Sequence, residues 1–368
     1  MSFVLNSPLS SGAVMSNQTS SGDPNCDWLF SNRYIVPTLY FLILPIGLVL
    51  NGVAAWVSLH LPSNNTFVVF LKNLVAADLI MTLLIPIRAA NDLPGASNTI
   101  IIISCKFFSP LFYSVQYTSI TLLGLIGVDR FFKIMCPHNK LGQNLTFSKV
   151  LSGSIWVVLF GSMALPNIIL SNKPVVNRTD TVNCMVLKEP VGLDFHQGSI
   201  IFVMALFWLV SVVITICYIC ITRKVIQSFK NSASSNTRGQ QRIKLRVFLV
   251  LIVFLVSFVP YHIVRIPYTI MQVNRSSQIY CFYLKIKFAK DLTLWLANTN
   301  ICLDPLLYVF LCREFKEKLL SMMEKVFHCI RVASPGKVEP SPPHGGLQDN
   351  GQIKVMAINH DDDDASAN

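Results

Sequence analysis

Long apolar runs recur along most of this chain, and polar stretches separate them. A helix needs about 20 consecutive apolar residues to cross the hydrocarbon core of a bilayer. Seven runs approach or exceed that length. Because a helix satisfies its own backbone hydrogen bonds in lipid, the pattern predicts an all-α membrane protein, a bundle of seven transmembrane helices. The predicted spans are residues 34–61, 67–88, 100–135, 149–170, 198–221, 247–270 and 288–311.

More polar segments are expected to flank this seven-helix domain, residues 34–312. Residues 1–33 are rich in Ser, Asn and Gly and lack the apolar core of a cleavable signal peptide, so the first span is expected to act as the insertion signal. Residues 313–328 place apolar side chains on one side at helical spacing, which predicts a short amphipathic helix on the membrane surface. Residues 329–368 predict a disordered cytoplasmic tail.

Composition supports a membrane protein, and the basic residues predict its orientation. Hydrophobic residues make up 52% of the chain and charged residues 13%, whereas soluble domains carry about 25% charged residues. Residues 223–246, between the fifth and sixth spans, contain seven Lys and Arg and no acid. This loop is therefore expected in the cytoplasm, with the N-terminus extracellular and the C-terminus cytoplasmic. The net charge of +11 then reflects topology and contact with anionic membrane lipid, and no nucleic-acid partner is predicted.

Glycosylation sequons agree with this orientation. Asn17, Asn177 and Asn274 each begin an Asn-X-Ser/Thr motif and fall on the outer side. Asn64 and Asn144 begin the same motif on the inner side, so the motif alone is a weak signal.

Cysteines also divide between the two sides of the membrane. Cys26, Cys105, Cys184 and Cys281 fall at the outer, oxidising side. Four cysteines allow three pairings. One of these joins Cys105 to Cys184, between the third span and the loop before the fifth, and joins Cys26 to Cys281, between the N-terminal tail and the last outer loop. On the inner side, Cys329 follows the amphipathic segment and is a candidate for palmitoylation.

Several short motifs appear in order, one in each predicted span. They are Asn51, LVAAD at 74–78, DRF at 129–131, Trp156, Tyr218, FVP at 258–260 and DPLLY at 304–308. In this order they resemble the rhodopsin-like (class A) G-protein-coupled receptors over residues 34–327. That family usually reads Asp-Arg-Tyr in its third span. Many members have Trp in place of Phe258, and most have Asn in place of Asp304.

A narrower resemblance is to the metabotropic purinoceptors, carried by HLPSNNTFVVFLKN, LPNIILSNK and FVPYHIVRIPYT. The chain is most similar to the subgroup that responds to ADP or UDP-sugars, and VDRFFKI and CREFKEKL are closer to its ADP-responsive members. The resemblance implies a plasma-membrane receptor for an extracellular nucleotide, ADP first, that lowers cAMP through an inhibitory G protein. Arrestin and receptor kinases would be further partners. UDP-sugar, lysophosphatidic acid and orphan receptors share much of the pattern and stay alternatives.

Cationic and aromatic residues gather near the predicted outer ends of the spans. Arg265 lies about a turn and a half beyond Pro260, where a charge is costly unless its head reaches the lipid headgroups or serves a ligand. Guanidinium groups pair with phosphate oxygens, and aromatic faces stack on bases. The resemblance implies that His262, Arg265 and Lys290 contact phosphate and that Tyr113 stacks on the base. The predicted ligand-binding set is Tyr113, Tyr117, Asn167, Lys188, His196, His262, Arg265, Tyr268, Lys287 and Lys290.

Three residues depart from the purinoceptor pattern. Ile200 stands where an Asn that helps to read the base is common, and Ile101 replaces a basic residue of some members. Asp291 follows Lys290 where Glu is usual. Because Asp291 comes four residues after Lys287, we expect these two side chains to pair on one helix face.

A second polar group is predicted at the middle of the membrane. It consists of Asn51, Asp78, Ser119, Asn300 and Asp304. The resemblance implies that this group holds an allosteric sodium ion (Na+) at Asp78 in the inactive state, and oxygen ligands suit such a hard cation. A hydrated network that shares a proton and holds no ion is the alternative. No other cofactor is predicted.

The resemblance also implies a set of activation-switch residues. Arg130 is expected to be held by its neighbour Asp129 at rest and to extend to the G protein on activation. No acid lies near Gln240, so a second ionic latch is not expected. The predicted set is Asp129, Arg130, Tyr218, Phe258, Pro260, Asp304, Pro305 and Tyr308.

Other functional classes fit the sequence less well. GxSxG, HExxH, P-loop and GxGxxG motifs are all missing, so an enzyme is not predicted. A channel or transporter needs a polar path through the whole bilayer. Here Phe254 and Phe258 divide the outer polar group from the middle one.

Overall fold

The computed structural model of this chain describes residues 33–136, 144–173, 184–231, 237–273 and 280–333, with side chains described except at 228–231, 237–248, 272–273, 280–281 and 327–333. In these ranges the regular structure is helical. Seven helical segments are long and apolar enough to cross a membrane. The predicted seven-helix fold class is therefore confirmed.

Eleven α-helices make up the described part of the chain. They are α1 Ile35–Leu59, α2 Thr66–Asp92, α3 Asn98–Ile103, α4 Ser109–Met135, α5 Leu145–Leu159, α6 Leu165–Ile169, α7 Pro190–Asn231, α8 Thr237–Val273, α9 Tyr280–Asn298, α10 Asn300–Leu311 and α11 Arg313–Ala333. The π-helical turn Ser104–Phe108 joins α3 to α4 within the third span, and Phe160–Ala164 joins α5 to α6 within the fourth. The seventh span is α9 followed by α10.

Several helices are longer than the apolar runs that predicted them. α7 covers Pro190–Asn231, whereas the run covers 198–221, and α11 continues to Ala333, past residue 328. Hydropathy detects only the stretch that faces lipid, while backbone hydrogen bonding continues into the polar zone on either side.

Asparagine and serine side chains begin three of the helices. Asn65 accepts a hydrogen bond from Phe67 N and starts α2, and Asn144 does the same from Phe147 N at the start of α5. Ser97 caps α3 through Ile100 N. Each cap satisfies one of the backbone donors that a helix start leaves unpaired.

The buried side chains form two clusters, one above the other in the bundle. The outer cluster includes Phe112, Tyr117, Phe207 and Tyr261. The inner cluster lies near the predicted cytoplasmic ends, and its larger members are Phe67, Phe70, Leu71, Leu74, Leu122, Tyr308 and Phe315. Apolar side chains on the outer surface, such as Val157 at 73% exposure, are suited to contact with lipid rather than water.

A disulfide fastens the loop before α7 to the third span. Cys105 and Cys184 are bonded, with their Cα atoms 5.1 Å apart, so this part of the predicted pairing is confirmed. Cys26 and the Cys281 side chain lie outside the described residues. The chain divides into two units, residues 1–323 and residues 324–368. In the second unit the structure describes the helical backbone as far as Ala333.

Candidate functional site

Arg265 of α8 is the central cation of the outer site. Its side chain is buried, at 7% exposure, and Nη1 donates to the Tyr261 hydroxyl and, at 3.5 Å, to the Tyr117 hydroxyl. The guanidinium carbon lies 4.9 Å from the centre of the Tyr113 ring. Arg265 therefore points into the bundle, and the alternative that it snorkels to the lipid headgroups is wrong for this conformation.

His262 supports this arrangement from below. Its Nδ1 lies 2.8 Å from the Phe258 carbonyl oxygen and must donate to it, because a carbonyl only accepts. Nε2, 3.1 Å from the Tyr117 hydroxyl, then accepts in the neutral imidazole. The ring stacks on Phe207 with centroids 3.5 Å apart. Both nitrogens are thus occupied, so in this conformation His262 holds Tyr117 in place and has no free nitrogen for the predicted contact with phosphate.

Lys290 of α9 belongs to a chain of alternating charges. Its Nζ lies 2.5 Å from an Asp291 oxygen, which is also 3.4 Å from Arg88 Nη2, and Arg88 Nε is 3.1 Å from Asp92. The expected pair between Asp291 and Lys287 is wrong. Lys287 is exposed, whereas the partly buried carboxylate of Asp291 takes the buried Lys290 and the partly buried Arg88 as partners, since an unpaired charge there is costly.

Aromatic rings cover the other side of Lys290. Its Nζ lies 4.8 Å from the centre of the Tyr268 ring, and Tyr268 stacks on Tyr283 with centroids 5.8 Å apart. Tyr268 of α8 and Lys290 of α9 thus meet across two helices. The arrangement presents positive charge next to flat rings.

Lys188 provides a further cation from the loop that the disulfide fastens. Its Nζ donates to Asn167 Oδ1 and to Ser171 Oγ, both at 2.9 Å. Burial lowers the pKa of Lys188 from its ordinary 10.5 to about 8. His196, in the first turns of α7, is partly buried. Asn167 is buried and faces Lys188, so the structure joins these two predicted residues through one hydrogen bond.

The middle polar group is assembled around Asp78. Its carboxylate accepts from the Tyr308 hydroxyl at 2.5 Å and from the Ser119 hydroxyl at 3.3 Å, and the Asp304 carboxyl lies beside it. Asn300 Nδ2 donates to Asp304 at 2.6 Å. Four of the five predicted residues therefore meet at one point.

Asn51, the fifth residue, connects helices beside that point. Its Nδ2 donates to Gly47 O, Thr82 Oγ1 and Ile301 O at 2.9–3.1 Å. It thereby ties α1 to α2 and α10.

The donor types around Asp78 fit a hard cation such as sodium. Two carboxylates and a hydroxyl converge, and Asp304 Oδ1 is buried with no hydrogen-bond partner among the described residues. Asp78, Asp304 and Ser119 would hold such an ion. No group of three His, Cys, Asp or Glu side chains that could hold a metal ion occurs in the described ranges, and this site has two carboxylates.

The inner end of α4 differs from the expectation. Asp129 accepts from Thr66 at 2.5 Å and pairs with Lys133 at 2.8 Å, while Arg130 Nη2 donates to the Leu311 carbonyl at 2.6 Å. The expectation that Asp129 holds Arg130 is wrong for this conformation. Lys133 is one helical turn from Asp129 and shares its face, whereas adjacent residues point apart.

The remaining switch residues lie along the bundle interior. Tyr218, Phe258 and Tyr308 are buried, and Pro260 and Pro305 lie inside α8 and α10, where each removes a backbone donor. Phe258 packs on Phe254, with centroids 5.2 Å apart.

Some predicted positions lie outside the described part of the chain. These are the sequon residues Asn17, Asn177 and Asn274, together with the side chains of Cys329 and Gln240.

Sequence reasoning did not identify several residues of these sites. Tyr261 could have been found, because it precedes Arg265 by four residues and shares its helix face. Phe207, Ser171 and Phe67 contact His262, Lys188 and Arg130 across the bundle, and no local signal in the sequence indicates these contacts.

Known proteins resemble this chain over most of its length. The sequence profile of the family described as 7 transmembrane receptor (rhodopsin family) matches residues 47–308. Purinoceptor 13 from Homo sapiens is 40% identical over 291 residues, 79% of this chain and 81% of its own. Purinoceptor 14 from Bos taurus is 38% identical over 289 residues, 78% and 85% of the two chains. G-protein coupled receptor 87 from Mus musculus is 36% identical over 307 residues, 82% and 84% of the two chains.

Proposed function

Because this chain belongs to the rhodopsin family of seven-transmembrane receptors, we propose that it is a cell-surface receptor for an extracellular nucleotide. It is a multi-pass plasma-membrane protein of a family that signals through heterotrimeric G proteins, and its members are receptors rather than enzymes. ADP is the proposed ligand and an inhibitory G protein the proposed partner, so activation would lower cAMP. The N-terminus would be extracellular and the C-terminus cytoplasmic.

The outer cluster of buried cations, Arg265, Lys290 and Lys188, carries the proposal, and we call this cluster the chamber. Including Arg88, four cations and two acids, Asp92 and Asp291, are partly or fully buried there, so the chamber holds an excess of positive charge. Buried cations that lack acidic partners are costly in a membrane protein. A diphosphate would supply the missing negative charge.

The tyrosines explain why the ligand would carry a ring as well as phosphate. Tyr113 and Tyr268 each present a face beside a cation. A purine base can stack on such a face while its phosphates reach the cations. Two of the relatives are named purinoceptors, which supports a nucleotide over the lipid alternative.

Arg265 and Lys290, the two main proposed phosphate contacts, lie on different helices, and this suggests how a bound ligand would activate the receptor. Arg265 is on α8 and Lys290 is on α9. A phosphate chain bound by both would favour the conformation in which these helices are closest. A ligand shifts an equilibrium only through its different affinity for the two states, and this bridging contact provides such a difference.

The test is inhibition of cAMP in cells that express the full chain. ADP, UDP-glucose and a lysophosphatidic acid are compared on the wild type and on Arg265→Ala and Lys290→Ala. ADP is expected to act alone, pertussis toxin to abolish its effect, and each variant to need about tenfold to hundredfold more ADP, since a charge-assisted hydrogen bond to a buried group is lost.

Lys285→Ala is the matched control. Lys285 lies on the same helix as Lys290 but is exposed, so its loss should leave the ADP response unchanged. A response to UDP-glucose or to the lipid alone would refute ADP as the ligand. An ADP response that neither variant weakens would refute the chamber as its site. Ion flux without a G protein would favour the channel alternative.

A further inference from the structure

Arg130 is held at the inner end of the bundle by an aromatic ring and a helix end. Its guanidinium carbon lies 4.0 Å from the centre of the Phe67 ring, the shortest cation–ring distance among the described residues. Nη2 donates to the Leu311 carbonyl oxygen at 2.6 Å. Arg130 thus connects α4 to the first turn of α2 and to the end of α10.

The carbonyl of Leu311 is a favourable partner for a cation. α10 ends at Leu311, and the last carbonyls of a helix lack backbone partners and carry a partial negative charge. Arg130 therefore satisfies an acceptor that the helix itself leaves open. Its Nε is buried and has no hydrogen-bond partner among the described residues, so the contact leaves part of the guanidinium unsatisfied.

The acids near Arg130 do not compete for it. Asp129 is engaged by Lys133 and Thr66. Lys133 Nζ also donates to Asn65 Oδ1 at 2.6 Å, and Asn65 is the residue that caps α2. The same short segment, residues 65–67, therefore occupies Asp129 and Lys133 and places the Phe67 ring under Arg130.

We propose that Phe67 is a positioning residue for Arg130: its ring and the Leu311 carbonyl hold the arginine in the resting receptor, in the role that an acid plays elsewhere in the family. The guanidinium leaves the ring when a G protein engages the inner face. This contact does not depend on which ligand the outer chamber binds, so the proposal about Phe67 can be tested separately from the proposed nucleotide.

The first test is a double-mutant cycle on the thermal midpoint of the full chain purified in detergent. Phe67→Leu and Arg130→Gln are made singly and together. If the ring and the cation interact, the loss caused by Phe67→Leu shrinks by about 2 °C in the Arg130→Gln background. Phe70→Leu is the control, because Phe70 is an equally buried ring on α2 in the same cluster, and its effect should be the same in both backgrounds. Additive losses for Phe67 would overturn the proposal.

The second test is ligand-free nucleotide exchange on purified G proteins of the four Gα classes, catalysed by the reconstituted receptor. Phe67→Leu is expected to raise basal exchange about threefold on the class that couples, because the resting contact is weakened. Phe67→Tyr keeps the ring and should match the wild type, as should Phe70→Leu. Equal exchange by Phe67→Leu and the wild type, or an equal rise for Phe70→Leu, would count against the proposal. If the wild type acts on none of the four classes, the thermal cycle decides.

Discussion

At the scale of single residues, Lys188 is predicted to make the binding of ADP depend on pH. Burial lowers its pKa to about 8, so it is charged below pH 8 and loses its charge as the pH rises through that value. The second phosphate pKa is about 6, so ADP stays fully charged above pH 7. Affinity for ADP should therefore be constant near pH 7 and fall, approaching tenfold, by pH 9. The affinity at each pH can be measured by displacement of labelled ADP from washed membranes.

Lys188→Arg separates this titration from other effects of alkaline pH. Arginine keeps its charge throughout the range. The affinity of this variant for ADP should therefore not change between pH 7 and pH 9. An equally steep fall in the arginine variant would assign the titration to another group.

Tyr261 is predicted to contribute to ADP potency through Arg265. Tyr261→Phe removes only the hydroxyl that accepts from Arg265. A lost hydrogen bond to a charged group costs about 1.5–3 kcal/mol when its partner stays buried, and the second contact to Tyr117 reduces this. Potency of ADP in the cAMP assay should fall about threefold to tenfold.

A second buried tyrosine tests whether that loss is specific. Tyr40 is fully buried, and its hydroxyl accepts from Asn298 Nδ2 at 2.9 Å rather than from Arg265. Tyr40→Phe should leave ADP potency unchanged at matched surface expression. A similar loss for both variants would point to general destabilisation.

Residue-scale contacts can be predicted from the sequence where the partner is near in sequence or has a matching motif. The sequence predicts the meeting of Asp78 with Ser119, Asn300 and Asp304, which the structure brings together. It does not predict the partners of Asp291 or of Asp129. Each carboxylate has several cations within reach, and which one wins depends on burial and side-chain direction, which helical spacing alone does not fix.

At the scale of helices, a close approach between α4 and α7 depends on Gly124. A Cβ atom there would lie 2.8 Å from Cγ1 of Val210, and a β-branched side chain has little freedom to rotate away. Gly124→Ala should therefore destabilise the bundle by about 1–3 kcal/mol, as overpacking does. The thermal midpoint of the purified chain is the measurement.

Gly153 of α5 provides the comparison for Gly124. It is also a glycine within a membrane span, but a Cβ atom there would meet nothing within 4 Å. Gly153→Ala should leave the midpoint unchanged or raise it slightly, because alanine is the better helix former. Equal losses at both positions would show that the contact with Val210 is not the cause.

Helices as elements were predictable, but their junctions were not. Apolar length alone located all seven spans. The π-helical turns at Ser104–Phe108 and Phe160–Ala164, and the division of the last span at Thr299, leave the apolar pattern unchanged. Such local changes in hydrogen bonding follow from packing between helices, which a single sequence does not display.

At the scale of the whole molecule, the cations inside the bundle lie in two groups, one near each end. The outer chamber gathers Arg265, Lys290 and Lys188, and the inner end holds Arg130 and Lys133 around α2. Between them Phe207, Phe254 and Phe258 pack as an aromatic layer. A receptor needs this separation, because the ligand and the G protein bind on opposite sides and communicate through a shift in conformation.

The orientation of the chain in the membrane decides which end of the bundle meets an extracellular ligand. The segment 223–246, which includes the end of α7 and the start of α8, carries seven cations and no acid, so it should stay in the cytoplasm and leave the N-terminus outside. An epitope placed at residue 1 should be stained on intact cells, and one placed after residue 368 only after permeabilisation. Replacing the seven cations by Gln should produce a mixture of molecules in the two opposite membrane orientations. Enzymatic removal of N-linked glycans should shift the mobility of the wild type, and Asn17→Gln, Asn177→Gln and Asn274→Gln together should abolish that shift. Staining of the C-terminal epitope on intact cells would reverse the assignment and place the cationic chamber in the cytoplasm.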